Sequence, residues 1–167
     1  MSLSLGKQPS PQRRGSGFIR SEFILVSAIE TESAMSEKAR AVLEALRFDE
    51  HGLVAALAQQ HETGELLMLA WMNREAVTET LRSGDVHYWS RSRGKLWRKG
   101  ESSGQTQRLV ELRVDCDGDA VLLLVDQRGV ACHTGQRSCF FRALRGERLE
   151  TIAEPLVTPG ELYGETR

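Results

Sequence analysis

The sequence predicts a mostly β domain of the α+β kind with two helices, on three observations. Short apolar runs of strand length recur between Leu53 and Leu144, turn signals rich in glycine separate them, and two other stretches carry capped helical periodicity. At 167 residues the chain suits one compact core. Residues 1–35, rich in Ser, Gly, Arg and Pro, are expected to form a flexible extension. The folded domain is expected over 36–145. The polar stretch 146–167, with Pro155 and Pro159, is expected to be a tail or surface cover.

The elements follow in order. SEKARAVLEALRF offers Ser36 as an N-cap and places Ala39, Val42, Leu43 and Leu46 on one stripe, which predicts an amphipathic helix. Leu53 to Ala58 and Leu66 to Trp71 read as two strands of a hairpin, joined by QQHETGE with Gly64 at the turn. NREAVTETLRSG predicts a second helix between the cap Asn73 and a terminating Gly84, with Glu75 early. DVHYWSRSR reads as one strand. In QRLVELRVD strict alternation puts Leu109, Glu111, Arg113 and Asp115 on one face and Val110, Leu112 and Val114 on the other. AVLLLVDQ and SCFFRAL read as buried strands, with the loop QRGVACHTGQR between them.

Composition narrows the function classes. A net charge of -1 gives no reason to expect a polyanion or a membrane surface as partner. No apolar run reaches the roughly 18 residues of a bilayer span, and the N-terminus lacks a leader's apolar stretch followed by a small-residue cleavage site. A cytoplasmic location is expected. Three cysteines, Cys116, Cys132 and Cys139, suit reduced thiols better than a disulfide framework.

Two clusters carry chemistry. In VDCDGDA the pair Asp117-Gly118 is a hairpin-turn signal, which explains the stretch without function. Alternatively Asp115, Asp117 and Asp119 are oxygen ligands for a hard cation such as magnesium. An EF-hand is excluded, because Ala120 replaces its glycine and the flanks read as strands. In an extended segment Cys116 would point away from Asp115 and Asp117, which suggests two metals, or one metal and one solvated acidic edge. Cys116, Cys132 and Cys139 are either core thiols or zinc ligands. Three thiolates without a fourth protein ligand leave a zinc position open for water, the pattern of a catalytic site. His133, next to Cys132, is then the candidate for proton transfer; a structural loop histidine is the plainer alternative. His51, His61 and His87 read as structural.

The second cluster, HYWSRSRGKLWRKGESSGQTQR, sets Arg91, Arg93, Lys95, Arg98 and Lys99 among Trp89 and Trp97, ahead of Ser102, Ser103 and Gly104. A solvated charged face is one explanation. An anion site with indoles to stack on a base is the other, and a small phosphorylated nucleotide suits the short patch better than a polymer.

Together the blocks LMLAWMNREA, HYWSRSRGKLWRKGESSGQTQ, VDCDGDAVLLLVDQ and ACHTGQRSCFFR, in that order from about Leu53 to Arg142, resemble phosphoribosyl-AMP cyclohydrolase of histidine biosynthesis. The resemblance implies a folded mixed sheet, or pseudobarrel, with peripheral helices in an intertwined homodimer. It makes 36–145 a cyclohydrolase domain that hydrolyses the N1–C6 bond of the adenine ring of phosphoribosyl-AMP. It further implies magnesium at Asp115, Asp117 and Asp119, and one zinc per subunit at Cys132 and Cys139 of one chain and Cys116 of its partner. His133 would be catalytic; Arg91, Arg93, Lys99, Ser102, Ser103 and Gly104 would receive phosphate. The rival readings are a zinc-stabilised module for single-stranded nucleic acid, which the missing fourth zinc ligand opposes, and an interaction protein with fortuitous cysteines.

Overall fold

The structure is a computed structural model and describes residues 37–164. The expected extension 1–35 and the Ser36 cap lie outside the described residues. Helix α1 runs over 37–45 and buries Ala39, with Leu46 just beyond its end. Then come β1 (Val54–Gln60), β2 (Leu66–Met72), α2 (Arg74–Ser83), β3 (His87–Ser90), β4 (Lys95–Arg98), β5 (Gln107–Val114) and β6 (Ala120–Gln127). The hairpin β7 (Arg142–Arg145) and β8 (Arg148–Thr151) and the short helix α3 (Pro159–Tyr163) complete the chain.

The six long-range strands form one mixed sheet in the order β4-β3-β2-β1-β6-β5, with β1 and β6 parallel and the other neighbours antiparallel. The sheet curls until the stretch before β3 meets β5. Val86 N–H donates to Gln107 O (2.9 Å), Leu109 N–H to Gly84 O (2.8 Å) and Lys99 N–H to Val86 O (2.9 Å), so residues just before β3 join the free edge of β5. Asp85 binds Arg108 (2.9 Å) and Arg98 (3.2 Å) across the same junction. This is the expected pseudobarrel, and closing the edge removes unpaired backbone from solvent.

A curled interior has little room, and β1 supplies small side chains. Ala56 and Ala58 of β1 are fully buried, which makes space for Tyr88, Leu67, Met72 and Leu123. Polar groups inside are paired: Tyr88 Oη donates to Gln107 Oε1 (2.7 Å), and Gln107 Nε2 donates to Gln127 Oε1 (2.8 Å). Burial pushes the Tyr88 phenol far up, so it remains a donor at any physiological pH. Helix α2 has the expected ends: Asn73 accepts from Ala76 N–H, and Gly84 takes the left-handed conformation.

Three strand expectations are corrected. DVHYWSRSR holds its strand only over His87–Ser90, as β3; the chain then turns at Gly94, and Lys95–Arg98 returns as β4, which was not expected. Strict alternation fails in β5, because a β-bulge at Val110 shifts the register, so that Leu109 packs with Leu112 and Val114 on the core while Val110 is exposed. SCFFRAL is not a buried strand either; pairing begins at Arg142, and Phe140 and Leu144 are exposed. The segment expected as tail or cover contributes β8 and α3. No helix among the described residues is long and apolar enough to cross a membrane.

Candidate functional site

Loops at opposite ends of β6 carry the two cysteine-bearing motifs. VDCDGDA is the β5–β6 turn, and ACHTGQRSC follows β6. Residues 116–119 bend rather than run extended, and the strand ends at Val114, so the alternation argument stops there. Asp115 Oδ1 accepts the N–H groups of Gly118 (2.9 Å) and Ala120 (3.2 Å), which folds the turn back on itself. One ligand atom from each of Asp115, Asp117 and Asp119 then lies within 4.8 Å of the others. The Ala120 amide leads in holding Asp115 below the usual carboxylate range, while the charges of Asp117 and then Asp115 hold Asp119 above it. A divalent cation relieves this repulsion with the oxygen donors it prefers, so the residues fit magnesium. Gly118 locks the turn to α1: its φ is 82°, Arg47 N–H donates to its carbonyl (2.7 Å), and a Cβ here would meet Ala45 O at 2.3 Å. Cys116 is exposed on this turn.

The other loop is clasped from within. Arg137 binds Gly129 O (2.5 Å), Gln60 Oε1 (3.0 Å), Gln127 O (3.3 Å) and Glu65 (3.4 Å). A β-bulge in β2 at Leu67 provides the other fastening: Ser138 Oγ donates to Leu66 O (2.7 Å) and Cys139 N–H to Leu67 O (2.7 Å). Thr134 Oγ1 lies 2.9 Å from Cys132 Sγ and donates to Gln136 Oε1 (2.5 Å).

Together these elements enclose a cavity of about 490 Å³, which Cys132, His133 and Cys139 line on one side and Arg93, Trp97, Lys99, Ser102 and Ser103 on another. Burial, then the neighbouring Cys132 sulfur, pushes the Cys139 thiol up to about 12, and Lys99 opposes the shift. Burial also holds the Lys99 amine below its ordinary value, opposed by the sulfurs of Cys139 and Cys132. Lys99 Nζ donates to Gln105 O (3.2 Å). Two adjacent thiols, with a cation in the same cavity, suit a soft, borderline metal such as zinc once the thiols ionise.

The structure therefore brings together seven of the sequence-predicted site residues: Arg93, Lys99, Ser102, Ser103, Cys132, His133 and Cys139. It does not bring in the rest. Gly104 is off the cavity wall, and Arg91 stands over the Trp71 ring (4.6 Å), in a separate hollow with His51, Leu53 and Trp89. Asp115, Cys116, Asp117 and Asp119 sit at the Ala120 end of β6, whereas Cys132 and Cys139 sit past Gln127. At roughly 3.3 Å per residue, those ends are about 23 Å apart. Among the described residues of one chain, Cys116 does not reach the other two cysteines.

Sequence reasoning missed Arg137, whose role depends on acceptors far away in the chain. It also missed Leu162 and Tyr163 of α3, which line the cavity. A signal for them existed: Thr158, Pro159 and Glu161 form a capping box with proline in the first turn.

A sequence profile described as Phosphoribosyl-AMP cyclohydrolase matches residues 68–141. A protein of Rhodospirillum centenum named Phosphoribosyl-AMP cyclohydrolase is 67% identical over 129 residues, covering 75% of this chain and 97% of that protein. One from Granulibacter bethesdensis with the same name is 65% identical over 124 residues, covering 74% and 97%. A third, from Rhodospirillum rubrum, is 61% identical over 138 residues, covering 81% and 95%.

Proposed function

The chain belongs to the phosphoribosyl-AMP cyclohydrolase family, and from that premise we propose that it opens the adenine ring of phosphoribosyl-AMP by hydrolysis of the N1–C6 bond, in histidine biosynthesis, with zinc. The observation that carries the reading is that thiols, a histidine and phosphate-type donors line one cavity. Zinc, when bound, supplies Lewis acidity that brings the pKa of a water toward neutrality. Cys132 and Cys139 would hold it, with Cys116 of a partner subunit as third ligand. In this reading His133 moves the proton between the attacking water and the ring nitrogen. Arg93, Lys99, Ser102 and Ser103 orient the substrate through a phosphate, and Arg91 and Gly104 complete the expected set. Asp115, Asp117 and Asp119 would hold magnesium, which would supply positive charge to the turn that presents Cys116.

The homodimer is part of this proposal. Its support is the 23 Å or so along β6 between Cys116 and the other thiols. A second support is the β7–β8 hairpin, on which the paired Leu144 and Leu149 are 72% and 62% exposed. An isolated two-stranded hairpin is marginal in water, and two facing leucines on it call for a covering surface. In domain terms, 36–145 is the catalytic unit, and the described residues of 146–167 are a cover over the cysteine loop. The location proposed is cytoplasmic. A nucleic-acid module is less favoured, because Arg91 and Arg93 face different hollows rather than one continuous basic groove.

The test is elemental analysis of the purified protein together with an ultraviolet assay of phosphoribosyl-AMP opening. Stoichiometric zinc with turnover is expected. A zinc-loaded protein that leaves phosphoribosyl-AMP intact contradicts the reading.

A further inference from the structure

We propose that Tyr163, on the C-terminal helix α3, is the aromatic surface that holds the base of the substrate in the cavity, an assignment that rests on the proposed activity. Among the described residues that line the cavity, Trp97 and Tyr163 carry the large flat rings. Trp97 is already packed against Tyr88, with centroids 5.1 Å apart, so one of its faces is occupied. Tyr163 is 53% exposed and has surface to offer.

A five-residue helix does not hold itself together in water, so the position of α3 has to come from outside it. A capping box closes its first turn, and two attachments position it. Thr158 Oγ1 accepts from Glu161 N–H (3.3 Å) while Glu161 Oε2 accepts from Thr158 N–H (2.6 Å). Leu162, next to Tyr163, is 6% exposed and anchors the helix to the cavity wall. Leu156 N–H donates to Gly135 O (2.8 Å), which ties the approach to α3 to the loop that carries Cys132 and His133.

The chemistry of the walls divides the substrate accordingly. Arg93, Ser102 and Ser103 suit a phosphate, His133 and the thiols suit the reacting carbon, and a purine additionally needs a flat apolar contact. Stacking of a base on an aromatic side chain gives roughly a five- to 150-fold gain in affinity. Tyr163 fills that role from a segment outside the motif blocks.

The experiment compares the zinc-loaded full chain with Tyr163→Leu and Tyr163→Phe, measuring KM and kcat for phosphoribosyl-AMP and zinc content. Tyr163→Leu is expected to raise KM roughly tenfold, with kcat within about threefold and zinc unchanged. Tyr163→Phe is expected to keep the KM of the parent, because the ring, not the hydroxyl, makes the contact. An unchanged KM in Tyr163→Leu overturns the assignment. A fall in kcat or in zinc at constant KM also overturns it, since that outcome describes a clamp on the cysteine loop. A parent protein that holds zinc and has no turnover overturns the proposed activity itself, so the two failures are distinct.

Discussion

The two ends of β6 carry the same kind of residue in opposite settings. Past Gln127, Cys132 is buried in a loop that its own Arg137 and Ser138 fasten to β1, β2 and β6. Before Ala120, Cys116 and three mutually repelling carboxylates stand exposed on a turn. One loop is finished by its own chain, whereas the other directs its ligands outward. The contrast teaches that preorganisation and presentation are separate tasks, and in the proposed dimer each end of the strand would take one of them.

Removing a thiol at the clasped end has the largest expected effect. Cys132→Ala should lose zinc and at least about a thousandfold of activity, read by elemental analysis and the ultraviolet assay. Retained zinc with activity in that variant breaks the comparison, because the clasped loop would then not be the metal half of the site. Next come the glycines that dock each loop. Gly118→Ala drives a Cβ into Ala45 O, and Gly135→Ala drives one into Val157 O, each at positive φ. Each should lower stability by about 2 kcal/mol or more in thermal or urea unfolding. Gly135→Ala should also lower activity at temperatures where the protein is still folded, since its loop carries His133. Equal tolerance of both substitutions would mean that neither dock holds its loop.

The smallest effect concerns the junction that closes the sheet between the two ends. Hydrogen bonding from Arg108, then from Arg98, keeps the Asp85 carboxyl below its ordinary value. Its contribution is therefore complete above the unfolded Asp pKa of about 3.9 and fades as pH falls through the lowered folded value. Asp85→Asn should lower the urea midpoint at pH 7 by an amount worth under about 1 kcal/mol, since these arginines are largely exposed. The gap to the parent should narrow as pH falls below about 3.9. A gap that widens in acid would contradict the sign of this linkage.

Much of the fold was legible where a local signal specified it. Asn73 and Gly84 bracket α2, and Gly64 turns the first hairpin, because caps and turns act within a few residues. The turn before β4 was hidden in a basic run, and the Val110 bulge reversed the faces of β5 from a distance, through pairing with β6. SCFFRAL has an apolar composition suited to a buried strand, yet what covers a hairpin is decided by tertiary surroundings. Of the candidate site, residue types were legible and distances were not. Nothing in the spacing of Cys116 and Cys132 tells that the strand between them runs straight and holds them apart.

The central claim is that the outward-facing end of one chain completes the clasped end of another. Mixing Cys116→Ala with Cys132→Ala, each inactive alone, tests it directly. After subunit exchange about half of the dimers are mixed, and each of these has one intact site, so activity should recover to about a quarter of the parent level. No recovery, with exchange demonstrated by tagged subunits, contradicts the claim.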